Sequence, residues 1–222
     1  MKNKLPFKYI IISAGCSYSL QPTKLRLIAK KFNLTTNDFL KNCEVIYIGA
    51  SSSSIQYTKE SIFQITNWLL ENGISNENIF ILSNLTQFGR MNFKVDDSLV
   101  EETIKVIESK QLVEDGPSIV SDFYGFKTIQ YPKGYFYLNG NLYTSLSESG
   151  SQLKKLPHVY NSILNYYEAY YKLDTIDHMV DYINNLISIQ KFLKEHKIDY
   201  RFFFMNDIFE GWYYEGEILK HE

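Results

Sequence analysis

The sequence predicts an α/β domain built on a mainly parallel sheet with helices against both faces. Three observations carry this. Short apolar runs recur along the chain, each closed by glycine or small polar residues, and helical stretches separate them. The runs also lack the polar alternation of a half-exposed strand, as expected where both faces are covered.

Residues 7–13 form a continuous apolar run that Gly15 ends. Over 23–32, Leu25, Leu27, Ile28 and Phe32 fall at helical spacing after Pro22, a residue suited to a helix start. Residues 44–48 give a second strand, closed by Gly49. Ala50 and four serines then lead into a long amphipathic helix carrying Ile55, Ile62, Ile65, Trp68, Leu69 and Leu70. Gly73 stands just past its end, where a left-handed cap is commonly needed. Residues 79–83 give a third strand. After two helices, over 158–172 and 175–196, a fourth strand follows at 200–205. On the second of these helices Ile176, Met179, Val180, Ile183, Ile187 and Phe192 supply the expected apolar face. Strand and helix alternating at this spacing imply right-handed crossovers, a doubly wound three-layer α/β/α sandwich and strand order 2-1-3-4.

Residues 96–156 break the rhythm. Mixed polar sequence gives way to Tyr135, Phe136, Tyr137 and Leu138, then Leu142 and Tyr143, around Asn139-Gly140, a strong two-residue hairpin signal. This stretch is expected to be an insertion, placed to wall a substrate cleft, within a single domain spanning 1–222.

Composition narrows the function classes. With 23 basic against 25 acidic residues the formal net charge is −2, so no broad field favours nucleic acid or an anionic membrane. No apolar run reaches the ~20 residues that span a bilayer. Cys16 and Cys43 have no metal-ligand spacing around them, so a reducing compartment, no metal and no cofactor are expected. Lys2, Lys4 and Lys8 ahead of Ser13-Ala14-Gly15-Cys16 superficially imitate a lipoprotein cleavage site. The apolar stretch is short, however, and Pro6 and Lys8 interrupt its approach. The expected location is cytoplasmic at synthesis.

Each of the first three strands ends in small or polar residues: Gly15-Cys16-Ser17, then Gly49-Ala50-Ser51-Ser52, then Ser83-Asn84. In a parallel sheet these carboxyl ends converge, and ligands bind there. In this order and placement the chain resembles the SGNH (GDSL-type) hydrolases of flavodoxin-like architecture. Those proteins carry Gly-Asp-Ser after the first strand, a glycine after the second and an asparagine after the third. Cys16 stands where that family usually has Asp, and the Gly-Cys-Ser-Tyr form is similar to SGNH-like proteins of tailed phages and marine bacteria. The resemblance covers roughly residues 7–90. It implies a serine esterase acting on a small ester or an acylated carbohydrate, with Ser17 as nucleophile. The alternative it leaves open is a noncatalytic SGNH-like binding module or virion component, with virion partners.

Acyl transfer needs an activated hydroxyl and preorganised donors for the oxyanion. By the resemblance, the Ser17 amide, an amide in the Gly49 to Ser52 turn (Gly49 or Ser51 among them) and the Asn84 side chain supply those donors. Each has a plainer role as well. Ser17 is also a good helix cap, Asn84 a good turn residue, and the serines at 51–54 a good N-cap and tight turn. Arg90 is suited to grip an acyl oxygen or carboxylate, or to stand in solvent. Asp207 lies just past the fourth strand. Tyr166, Tyr167, Tyr170 and Tyr171 cluster on one predicted helix, and such tyrosines suit carbohydrate or protein surfaces as well as core packing.

The family's base lies in an Asp-x-x-His block after the last strand, and none of His158, His178, His196 and His221 has an aspartate three residues before it. His158, His178 and His196 fall on helices, where surface or capping roles are the ordinary ones, and His221 alone comes late enough. Four strands rather than five, together with the missing block, lead to a further expectation: the chain is the N-terminal part of a longer polypeptide, or a domain without its own base.

Overall fold

In the computed structural model the residues described are 9–15, 29–30, 33, 35–50, 53–85, 90–111, 118–131, 135–146, 161, 165, 169, 175–204, 213–214 and 217–218. In chain order they form β1 (Tyr9–Gly15), α1 (Thr36–Asn42), β2 (Cys43–Gly49), α2 (Ile55–Glu71), β3 (Ile79–Leu85), β4 (Met91–Lys94) and α3 (Val100–Gln111). There follow β5 (Ser118–Phe123), β6 (Phe126–Tyr131), β7 (Tyr135–Leu138), β8 (Asn141–Leu146), α4 (Thr175–Glu195), β9 (Asp199–Phe204) and the two-residue strands β10 (Tyr213–Tyr214) and β11 (Glu217–Ile218).

A parallel four-stranded sheet runs β2-β1-β3-β9, which is the predicted order with β9 as the fourth strand. Ile10, Ile12 and Ala14 of β1 face one core together with Ile79 and Ile81 of β3. Ile11 faces a second, smaller core with Phe80, Leu82 and Cys43. Alternation along each strand therefore feeds two buried faces, which is why these strands read as unbroken apolar runs. Helices α2 and α4 pack on the first face; Ala29, a helical residue, packs on the second. Of the helix expected over 23–32 only Ala29 and Lys30 are described, both helical.

The region expected to be a hairpin insertion holds far more. A five-stranded antiparallel sheet, β4-β8-β7-β6-β5, begins at Met91, ahead of the expected boundary, and includes a helix, α3, that the polar sequence there did not announce. Asn139 and Gly140 form the predicted tight turn, with φ of 38° and 96°. A second two-residue turn joins β5 to β6 through Tyr124 and Gly125, φ 45° and 87°. Tyrosine is an uncommon residue for that left-handed position, so no local turn signal announced it.

One face of this second sheet covers α3, through Ile107, Tyr131, Tyr135 and Leu142. The other face closes over α2. The Tyr57 ring lies 4.3 Å from Phe136 and 5.2 Å from Tyr143, and Trp68 packs edge-on against Phe123. Helix α2 is thus buried on several sides. Ile62, Ile65 and Leu69 serve the shared core, Phe63 stacks on Phe192 of α4 at 4.2 Å, and Thr58, Ser61 and Thr66 are small where elements crowd. One polar tie joins the second sheet to the first and another joins it to α2: Thr128 Oγ1 donates to the Tyr47 carbonyl of β2 at 3.0 Å, and the Tyr143 hydroxyl to Glu60 Oε2 of α2 at 2.9 Å. Burial first, then the Glu60 carboxylate, hold the Tyr143 hydroxyl well above the ordinary tyrosine range. The hairpin aromatics Tyr135, Phe136 and Tyr143 are therefore core residues and do not line a surface.

Helix α4 corrects the sequence expectation. Ile176, Val180, Ile183 and Ile187 are 37–52% exposed, while His178, Tyr182, Ile189 and Leu193 form the buried stripe. The helix carries two apolar stripes, and Ile189, Leu193 and the Tyr182 ring fill the space against α2 and the sheet. Met179 and Phe192 are half-buried.

Candidate functional site at the carboxyl end of the parallel sheet

The strand register brings three sequence-predicted residues together. Gly15 pairs with Gly49 on one side and with Asn84 on the other, so the three stand in one row across β2, β1 and β3; Phe203 of β9 extends it. Asn84 lies inside β3, not after it, because the strand continues to Leu85. By alternation its side chain leaves the sheet on the face of Phe80 and Leu82, and it is 3% exposed.

Gly15 is required at this point in the row. Its φ is +115°, and a Cβ there would overlap the Asn84 carbonyl oxygen and sit 2.9 Å from the carbonyl carbon. The absence of a side chain lets β1 and β3 close up at their ends.

The turn after β2 is latched onto this row. The Gly15 carbonyl accepts from the Ala50 amide at 2.9 Å and from Ser53 Oγ at 2.9 Å, and the Ser53 amide donates to the Ala50 carbonyl at 3.2 Å. Ser54 is the N-cap of α2: its Oγ accepts from the Tyr57 amide at 3.1 Å. Its own amide donates to Asn92 Oδ1 from β4. The second sheet thereby pins the turn in place. Asn92 carries no motif and was invisible in the sequence; its Nδ2 is buried with no acceptor among the described residues. Arg90, two residues earlier, is half-buried beside it in the chain and outside any regular element.

These bonds narrow the chemistry. The amides of Ala50, Ser53 and Ser54 are all engaged within this latch. Ser17, Cys16, Ser51 and Ser52 lie outside the described residues, as do His158, Asp207, His221 and the tyrosines at 166, 167, 170 and 171.

Of the two described histidines, His196 is at the wrong end. Its ring Nδ1 lies 2.9 Å from the Phe192 carbonyl, and its own carbonyl accepts from Asn76, just before β3 begins. His178 is at the right end. Helices α2 and α4 run side by side, matched by Lys59 Nζ to Asn185 Oδ1 at 2.6 Å and by the Phe63–Phe192 stack. Seven residues ahead of Asn185, about 10 Å along the helix, His178 stands level with the residues just before α2. It is buried, 6% exposed, which removes the expectation of a surface or capping histidine.

Among the described residues no group of three or more His, Cys, Asp or Glu is placed to hold a metal ion, and no helix is long and apolar enough to cross a membrane. Compared with protein-family models, curated proteins and solved structures, the chain matches none.

Proposed function

We propose that this chain is a serine ester hydrolase of the SGNH type, acting on a small ester or an acylated carbohydrate. The observation that carries the reading is the single row Gly49–Gly15–Asn84 at the carboxyl ends of adjacent parallel strands. The finer fold reading, a three-layer flavodoxin-like sandwich, draws support from the strand order and from Ala29 packing on the second face.

In this reading Ser17, two residues beyond Gly15, is the nucleophile. Its amide, the Ser51 amide and Asn84 are the oxyanion donors, and Arg90 orients the substrate. A serine hydroxyl needs a base to attack at neutral pH. His178 and His221 are the two candidates, the first for its buried position at this end of the sheet and the second because it follows β9, the last strand of the parallel sheet.

The test is labelling by a fluorophosphonate probe together with p-nitrophenyl acetate hydrolysis. Ser17→Ala abolishes both while the circular dichroism spectrum is unchanged. Asn84→Ala lowers kcat by about a hundredfold to a thousandfold with KM little changed. His178→Asn and His221→Asn, made separately, identify the base by which of them matches Ser17→Ala. Full activity in Ser17→Ala protein overturns the assignment, and a wild-type chain that neither labels nor hydrolyses supports a noncatalytic SGNH-like module.

A further inference from the structure

At the carboxyl end of the parallel sheet, Asn92 Nδ2 and the Ser83 hydroxyl are buried and have no hydrogen-bond partner among the described residues. Ser83 as a whole is 0% exposed. Folded chains seldom bury such groups with nothing to meet them, because the group has lost its water and gained nothing in return. A ligand or an ordered water is the ordinary remedy.

Both groups have a fixed direction. The Ser54 amide can only donate, so it takes Asn92 Oδ1 as its acceptor and turns Nδ2 away from itself. Asn92 thus commits its acceptor to the start of α2 and keeps its donor for something else. Ser83 stands between Ala14 of β1 and Phe202 of β9, and with Ile79, Ile81 and Leu85 it leaves β3 on the face that α2 covers. It lies one residue before the Gly49–Gly15–Asn84 row. The two groups therefore share one end and one side of the sheet, where α2 begins. That helix has 17 residues and turns the positive end of its dipole toward them.

An amide N–H only donates and a hydroxyl can donate as well, so the partner both accept is an acceptor oxygen. A helix N-terminus favours one that carries negative charge. We propose that Asn92 Nδ2 and Ser83 Oγ bind a carboxyl or ester oxygen at the amino end of α2. The site rests on these two groups; only the identity of its occupant, the acyl part of the substrate, rests on the hydrolase reading. Under that reading Asn92 is a substrate-binding residue contributed by the second sheet, and Ser83 holds the same acyl group from β3, beside the proposed oxyanion donor Asn84.

Sodium acetate is the probe, since its binding is read without turnover. In heteronuclear NMR of the isotope-labelled full chain, the Asn92 side-chain amide and the Ser54 backbone amide are expected to shift saturably with acetate and not with sodium chloride at equal ionic strength. Asn92→Asp keeps an acceptor for the Ser54 amide and loses the donor, whereas Ser83→Ala removes the buried hydroxyl alone. Each is expected to raise the acetate dissociation constant about tenfold or more. Ser83→Ala should leave the melting temperature of the acetate-free chain equal or higher, because it removes an unmet polar group; a serine with no ligand would change no affinity. Should Asn92→Asp fail to fold, Ser83→Ala decides by the same criterion. Asn92 resonances that acetate does not move, or acetate affinity unchanged in both variants, overturn the inference, the two groups then meeting water alone. Acetate binding that both variants lose, in a chain that does not hydrolyse p-nitrophenyl acetate, supports the site and overturns the hydrolase reading. Hydrolysis with KM unchanged in both variants does the reverse.

Discussion

The ends of the two sheets are built to opposite requirements. At the carboxyl end of the parallel sheet, β1 and β3 approach so closely that Gly15 has no room for a Cβ. At the hairpin ends of the antiparallel sheet, Gly125 and Gly140 have equally left-handed φ values of +87° and +96°, yet a Cβ on either would meet nothing within 4 Å. The same residue type answers a tertiary need in one region and a turn's handedness in the other. The crowded end is also where Asn84, the serine turn and Asn92 gather.

The largest expected effect sharpens this contrast. Gly15→Ala must push back a backbone carbonyl, and the expected loss is about 4 kcal/mol or more, within the range reserved for severe core lesions. Gly140→Ala costs only the left-handed strain, about 1–2 kcal/mol. Urea unfolding of the two variants measures both; equal losses would break the comparison.

Next in size is a test of whether the two sheets are one folding unit. Phe136 is 2% exposed in the core that also holds Ile12, Ile62 and Ile81, so Phe136→Ala is expected to cost about 3–5 kcal/mol. Unfolding should remain a single transition, with amide protection falling in β1 and β3 as well as in β7. Two separate transitions would show instead that the sheets are energetically independent.

A smaller effect probes the joint between them. Ser54→Ala removes the α2 cap, at about 1 kcal/mol, and Asn92→Ala removes the acceptor for the Ser54 amide, again about 1 kcal/mol. The two share one helix end, so the double variant should cost less or more than the sum, and a double-mutant cycle reads the coupling. Strict additivity would mean that β4 does not hold the turn.

The smallest effect is on pH dependence. Burial pushes the Cys43 thiol from 9.0 up to about 11 and, with a lesser opposing contribution from Thr144, the Tyr135 hydroxyl up to about 12. The unfolded chain releases these protons first, so the folded state loses stability as pH rises through the window between each group's ordinary and folded values. The Cys43 contribution is complete below pH 9.0 and is lost through about 11. Cys43→Ala should flatten that part of the alkaline slope, followed by thermal melting at successive pH values. An unchanged slope would show that the parallel sheet does not hold the thiol neutral.

Parts of the site were readable and parts were not. Gly15, Gly49 and Asn84 each stood out as a strand-end residue, because apolar runs closed by small residues are a local pattern. Their meeting in one row depends on register between strands dozens of residues apart. Asn92 left no trace, since an asparagine that accepts one amide from a distant helix start looks like any other. Helix α4 shows the limit most clearly. Periodicity found an amphipathic helix but favoured Ile176, Val180, Ile183 and Ile187 over the buried His178 and Tyr182, because hydrophobicity ranks residues without knowing what they face.

By itself, then, the sequence determined the strands of the parallel sheet, their order, the α2 and α4 helices and the Asn139-Gly140 turn, all products of short-range spacing and turn chemistry. Tertiary structure alone decided that the polar stretch after Met91 folds into a second sheet and that α2 is enclosed between two sheets. It also decided that Gly15 is a contact glycine and that α4 turns its aromatic and histidine stripe inward. Those outcomes depend on which surfaces meet across long sequence separations, where packing and close approach, not local propensity, set the free energy.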